Sequence, residues 1–273
     1  RKLTGVISLR KIITSPGEAL VGDLMNTSVI CVSTDDHQEE VASVMAQYDL
    51  LAIPVVDLEN RLVGIVTHDD IIDVIQEEDT KDIHLMAGVV TTEKTPIDVS
   101  VWDNIKSRAG WLVMLILLES FSSNILKMYE DALSTIVALS FFIPMLIDTG
   151  GNAGTQSATV VIRALATGEL EAKDAWKVLE KELISSIFLG LILGVIGGFK
   201  AYLSHGDILI GSVIGLSLSI VVALAGLTGA LLPLIAEKFN LDPAVMAGPF
   251  ITTIVDIVGL IAYFEIAKLI LHI

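Results

Sequence analysis

The sequence runs to 273 residues, 53% of them hydrophobic, with 33 acidic against 17 basic side chains and a formal net charge of −16. Such a surplus of acid excludes a role built on attracting nucleic-acid phosphates and favours cations as partners. A single cysteine, Cys31, leaves no intrachain disulfide and no zinc site of the two- or four-cysteine kind.

The charge is not spread evenly. Residues 1–108 carry 19 acidic against 9 basic residues, a net of −10, whereas long charge-free apolar runs begin after residue 108. Such runs are rare in soluble proteins, so the chain divides into an acidic soluble part and a membrane part. No signal peptide opens the sequence.

Residues 1–13 (RKLTGVISLRKII) and 60–72 (NRLVGIVTHDDII) form an internal repeat at an offset of 59. Leu3/Leu62, Gly5/Gly64, Ile12/Ile71 and Ile13/Ile72 are identical. Repetition of this kind marks one structural unit used twice. Each copy predicts a short strand, a Ser/Thr cap and a helix. The second copy is complete. A helix is expected over 37–48, a buried strand over 53–57, a turn at Glu59-Asn60, a strand over 61–66 and a helix from about Asp69. The first copy begins inside its motif, which reads as the end of a longer unit. The pattern resembles a CBS domain pair, carried by Ile53-Pro54-Val55-Val56-Asp57 and Gly64-Ile65-Val66-Thr67-His68-Asp69-Asp70. That resemblance implies an α/β fold and assigns Thr67 and Asp70 to the ribose or phosphates of an adenine nucleotide, ATP among them. A hydroxyl and backbone N–H at a helix start suit phosphate, and a carboxylate suits ribose hydroxyls. A nucleotide-free pair acting as a dimer scaffold is equally open.

Next comes an acidic helix. Asp70, Asp73 and Glu77 share one face, and Glu78 and Asp79 extend the cluster, with Asp69 beside it. Crowded carboxylates repel one another, and a hard divalent cation such as Mg²⁺ relieves that repulsion. A solvated acidic face is the alternative. Residues 83–96 read as a linker. Residues 97–108 read as a short amphipathic helix, capped by Asp98 or Ser100, that feeds into the first apolar run.

Five spans are expected, at about 109–128, 132–166, 183–203, 208–236 and 244–271. The second is too long for one plain span, so it tilts, kinks at Pro144 or protrudes. Lys106, Arg108, Arg163, Lys173, Lys177, Lys181 and Lys238 fall on one side, against Lys127, Lys200 and Lys268 on the other. The positive-inside rule then puts the soluble part in the cytoplasm and the C-terminus outside. Gly190, Gly194 and Gly198 form one stripe of small residues, and Gly211 with Gly215 a second, both suited to close helix packing.

Two stretches within the spans carry polar chemistry. Residues 144–159 (PMLIDTGGNAGTQSAT) hold Asp148, Asn152 and Gln156. The Asp-Thr-Gly triplet of aspartic proteases needs two β-lobes, and the glycine-rich run lacks the Gly-Lys-Ser/Thr of a phosphate loop. A polar helix lining a hydrated cavity is the better reading. The last run, 242–264, encloses one carboxylate, Asp256, with Gly248 and Thr252 on the same face at four-residue spacing. A charge at the bilayer centre costs at least about 2.5–3.5 kcal/mol, so Asp256 marks either an ion pathway or a structural hydrogen bond between helices.

Together, Pro144–Gly168 and Leu241–Leu260 resemble the MgtE family of magnesium channels and transporters, and the CBS copies ahead of five spans add to the resemblance. It implies an α/β CBS domain followed by an all-α transmembrane domain of five helices. The regions are 1–80 for CBS (1–20 the end of the first copy, 21–80 the second), 81–108 for a linker and connecting helix, and 109–273 for the membrane domain. It further implies a homodimer in the lipid bilayer of the cell (inner) membrane, with a pore on the two-fold axis lined by the second and fifth spans. Asp256 is then the pore carboxylate for largely hydrated Mg²⁺, with Gly248, Thr252, Asn152, Asp148 and Gln156 lining the path. The family usually has Asn at the position of Gly248, Ala at Thr252 and Gly at Asp148. It also implies closure by cytosolic Mg²⁺ held at Asp69, Asp70, Asp73, Glu77, Glu78 and Asp79, acting through the connecting helix. Transport rather than catalysis is expected, since an intramembrane metalloprotease needs His-Glu-x-x-His and none occurs. A divalent-cation exporter or exchanger of broader range, and a regulatory scaffold without transport, are the rival readings.

Overall fold

The structure, a computed structural model, describes residues 2–90, 97–170, 172–246 and 248–272. It comprises two compact units, Arg1–Thr80 and Lys81–Ile273.

The first unit contains α1 (Leu9–Thr14), α2 (Val21–Leu24), β1 (Val32–Ser33), α3 (Gln38–Gln47), β2 (Ala52–Val56), β3 (Leu62–Thr67) and the greater part of α4 (His68–Met86). Ser8 caps α1 by accepting from the Lys11 N–H at 3.3 Å. Glu39 and Glu40 sit in the first turn of α3, where the helix dipole favours negative charge. The sheet order is β1-β2-β3, with β1 parallel and β3 antiparallel to β2. In β2 the buried residues are Ile53 and Val56, three positions apart, which strict alternation forbids. The β2–β3 register shifts at that point: Val55 pairs with Gly64 and Val56 with Leu62, so the extra residue is Val63 of β3 and the strand pair bends there. Val32, Val41, Met45, Ile53 and Ile71 close the core under the sheet. Among the described residues, 2–7, where the strand of the first copy is expected, form the isolated bridges Lys2–Arg61 and Val6–Asn26 rather than a strand.

The second unit takes the last turns of α4 and adds α5 (Val101–Met128), α6 (Glu130–Thr135), α7 (Ile143–Ala166), α8 (Ala175–His205), α9 (Ile208–Lys238) and α10 (Gly248–Leu271). The linker expected over 83–96 begins later, because α4 runs on to Met86; residues 91–96 lie outside the described residues. The helix expected over 97–108 is the first part of α5, continuous with the apolar run. Ser100, rather than Asp98, is its cap and accepts from the Asp103 N–H at 3.1 Å. The long run over 132–166 is not one helix. It divides into α6, a 3₁₀ segment over Val137–Phe142 and α7, with Pro144 in the first turn of α7, where its missing N–H costs nothing.

Among the described residues, three helices are long and apolar enough to cross a membrane: α5, α8 and α9. Helix α9 is central, with half of its apolar window buried, whereas 11% of the corresponding window of α5 is buried. Helices α7, α8 and α10 all pack on α9, α7 packs on α10, and α5 packs on α10. Glycine sets the closest approach. The α8 glycines 190, 194 and 198 lie against Ser219, Gly215 and Gly211 of α9, and a Cβ on Gly198 would come within 2.7 Å of the Gly211 carbonyl. Tyr263 of α10, fully buried, donates to the Leu139 carbonyl at 2.8 Å and so holds the 3₁₀ segment in place.

Candidate functional site

Asp256 sits midway along α10, partly buried, and its Oδ1 is fully buried with no hydrogen-bond partner. An orphaned carboxylate oxygen in an apolar bundle is costly. The sequence pattern places it there because α10 is otherwise apolar from Phe250 to Phe264 apart from two threonines. Those threonines satisfy themselves: Thr252 and Thr253 each donate to the Pro249 carbonyl, at 2.9 and 3.0 Å. Thr252 also packs on α7, since a Cβ on Gly151 would lie 3.1 Å from its methyl.

Helix α7 has two contrasting faces. Gly150, Gly151, Gly154, Ser157 and Ala158 are buried and admit the side chains of Val221, Ile251, Thr252 and Val255. Asp148, Asn152 and Gln156, at four-residue spacing, form an exposed polar line along the other face. The glycines therefore let α7 approach α9 and α10, while the amide and carboxylate groups stay uncovered.

Gly248 opens α10 with φ +41, a conformation that favours glycine. A side chain there would meet the Met86 carbonyl at the end of α4. Leu85 and Met86 pack with Ala158, Ile162, Ala244, Ile251 and Val255. Gly248 is thus covered by the end of α4 rather than facing open space.

In the first unit Thr67 and Asp70 meet at the junction of β3 and α4. The Thr67 hydroxyl donates to Asp70 Oδ2 at 2.6 Å, and the Thr67 N–H approaches the same oxygen at 3.3 Å. Asp69 is exposed and held below the usual carboxylate range by Thr67 and by backbone N–H groups at the start of α4. Asp73, Glu77 and Asp79 are exposed along α4, and Glu78 accepts from the Gln38 amide at 2.5 Å. Among the described residues no three His, Cys, Asp or Glu side chains converge as a metal set. The α4 carboxylates therefore form an open row, suited to cations that keep their water.

Two carboxylates of the second unit escape a reading of the apolar runs by length alone. Glu119 lies in the middle of α5, exposed, with its charge acting on Asp256. Glu182 of α8 lies 2.8 Å from the Ser157 hydroxyl, which also donates to the Gly226 carbonyl at 2.8 Å. For Glu119 the available signal was the one that singled out Asp256, an acid inside an apolar run, whereas Glu182 stands just ahead of the run over 183–203 beside Glu180 and Lys181.

A model of the MgtE family, described as divalent cation transporter, matches residues 143–266, and a CBS-domain model matches residues 21–77. The chain is 43% identical over 276 residues to the magnesium transporter MgtE of Thermus thermophilus, covering 99% of this chain and 60% of that protein. It is 39% identical over 272 residues to the magnesium transporter MgtE of Bacillus subtilis, covering 100% of this chain and 60% of that protein. A crystal structure of the cytosolic domain of the Mg²⁺ channel MgtE in complex with ATP aligns with 27% of this chain and 29% of its own, at 53% identity and a TM-score of 0.27. The chain spans about 60% of the length of the curated relatives it matches.

Proposed function

The chain belongs to the MgtE family, and from that premise we propose that it moves Mg²⁺ across a membrane through a path marked by Asp256. The observation that carries the reading is the Asp256 carboxylate, one oxygen buried and unpartnered, on a helix packed against the glycine-rich α7. Mg²⁺ surrenders water reluctantly, so one carboxylate per chain attracts the hydrated ion without stripping it. The exposed line of Asp148, Asn152 and Gln156 supports α7 as the second wall, and Thr252 as a neighbour of it. Gly248 closes the same face towards α4.

In this reading all five long helices of the second unit span the bilayer of the cell membrane. Two copies of the chain place their α7 and α10 faces about a common axis. The first unit lies in the cytoplasm, and the C-terminus lies outside. Helices α7 and α10 carry polar groups because they face the path, whereas α8 and α9 are apolar over lengths that suit lipid. Cytosolic Mg²⁺ gathers on the open acidic row of α4, from Asp69 and Asp70 through Asp73 to Glu77, Glu78 and Asp79, and favours the closed state. The paired Thr67 and Asp70 offer a hydroxyl and a carboxylate to an adenine nucleotide such as ATP.

The test is Mg²⁺ uptake into liposomes reconstituted with the protein, wild type against Asp256→Ala. Uptake is expected to be lost in the variant. Uptake equal to wild type would overturn the assignment.

A further inference from the structure

Helices α5 and α10 run in the same direction: at their N-terminal ends Trp111 of α5 lies against Gly88, and Met86, two residues earlier, lies against Gly248 at the start of α10. Near their C-terminal ends the Tyr129 hydroxyl donates to Glu265 at 2.6 Å, and the Tyr129 ring stacks on Phe264 with centroids 4.6 Å apart. Lys268 Nζ lies over that ring, 4.6 Å from its centroid. Counting back along both helices from Tyr129 and Glu265 brings Glu119 level with Asp256. The charge of Glu119 does reach Asp256. Ser122, one turn from Glu119 on the same face, is 3% exposed, and its hydroxyl has no hydrogen-bond partner. Helix α5 packs mainly on α10, so a buried Ser122 is turned towards it.

Three oxygen-bearing side chains thus stand within about one turn of the same depth, with a carboxylate oxygen and a hydroxyl both buried and unsatisfied. Beyond this level the two helices carry Lys127, about two turns on in the last turn of α5, and Lys268, about three turns on and engaged by Tyr129 and Glu265. Two carboxylates so placed repel each other unless a cation lies between them.

We propose that Glu119 and Asp256 form one two-carboxylate site for a hydrated divalent cation at mid-depth of the membrane unit, with the Ser122 hydroxyl as a neutral oxygen beside it. The proposal rests on the reading of Asp256 as an ion-path carboxylate. Two carboxylates do not make a closed cage, which suits an ion that retains several waters and must leave again.

The test uses the full chain in liposomes, with Mg²⁺ uptake followed over a range of Mg²⁺ concentrations for wild type, Glu119→Gln, Glu119→Asp and Asp256→Ala. Glu119→Gln is expected to raise the half-saturating Mg²⁺ concentration about tenfold, and Glu119→Asp to restore most of the difference. Wild-type concentration dependence in Glu119→Gln, with uptake abolished by Asp256→Ala, would overturn the two-carboxylate site alone. Equal impairment in Glu119→Asp and Glu119→Gln would also overturn it, because shape rather than charge would then be at stake. Unchanged uptake in Asp256→Ala would overturn the pathway reading beneath it.

Discussion

Single polar atoms decide much of the second unit. The Tyr263 hydroxyl satisfies the Leu139 carbonyl in a segment whose 3₁₀ pattern leaves few other partners. Tyr263→Phe keeps the ring and removes only that bond, so it is expected to cost about 1–2 kcal/mol. Thermal unfolding in detergent should show a Tm lower by a few degrees (about 2–4 °C for a unit of this size); an unchanged Tm would show that the carbonyl finds another donor. Legibility in the sequence also differs residue by residue. Asp256 is readable because it interrupts an apolar stretch and shares a face with Thr252. Glu119 interrupts α5 in the same way, but its significance needs α10 beside it, and no pattern in the run over 109–128 announces that neighbour. The bulge at Val63 of β3 is unreadable for a similar reason, since a register shift depends on the partner strand.

Among the elements, the glycine stripes were readable and the broken second run was not. Small residues at four-residue spacing need only a helix to form a flat strip, so Gly190, Gly194 and Gly198 point to a close crossing from sequence alone. The division at Val137–Phe142 depends on the fully buried Leu139 and on Tyr263, 124 residues later. The α8–α9 crossing makes its own prediction. Gly198→Val inserts a side chain where even a Cβ meets Gly211 and Gly215 backbone, and is expected to destabilise by about 1–3 kcal/mol or more. Gly110→Ala in α5 meets nothing within 4 Å and gains helix propensity, so it should leave stability unchanged or slightly raised. Comparing the apparent unfolding temperatures of the two variants checks the crossing; equal values would refute it.

At the scale of the whole molecule, the net −10 over residues 1–108 draws cations towards that part of the chain before any site is considered. The row on α4 localises that charge. Asp73→Asn combined with Glu77→Gln should raise the internal Mg²⁺ concentration that suppresses flux by about tenfold, in the range of ordinary coupling energies. Flux recordings at graded internal Mg²⁺ would decide this, and an unshifted curve would remove α4 from the sensing role. The pairing of α5 with α10 has a consequence in time as well. Helix α5 is the earliest of the five long helices to leave the ribosome and α10 the last, and their contact joins residues 136 positions apart. At ordinary elongation rates that interval is on the order of 10 s. Through it, Glu119 and Ser122 wait in the translocation machinery or the bilayer without their native neighbour, so the most polar turn within the apolar run of α5 is the one whose insertion must be tolerated longest before the fold rewards it.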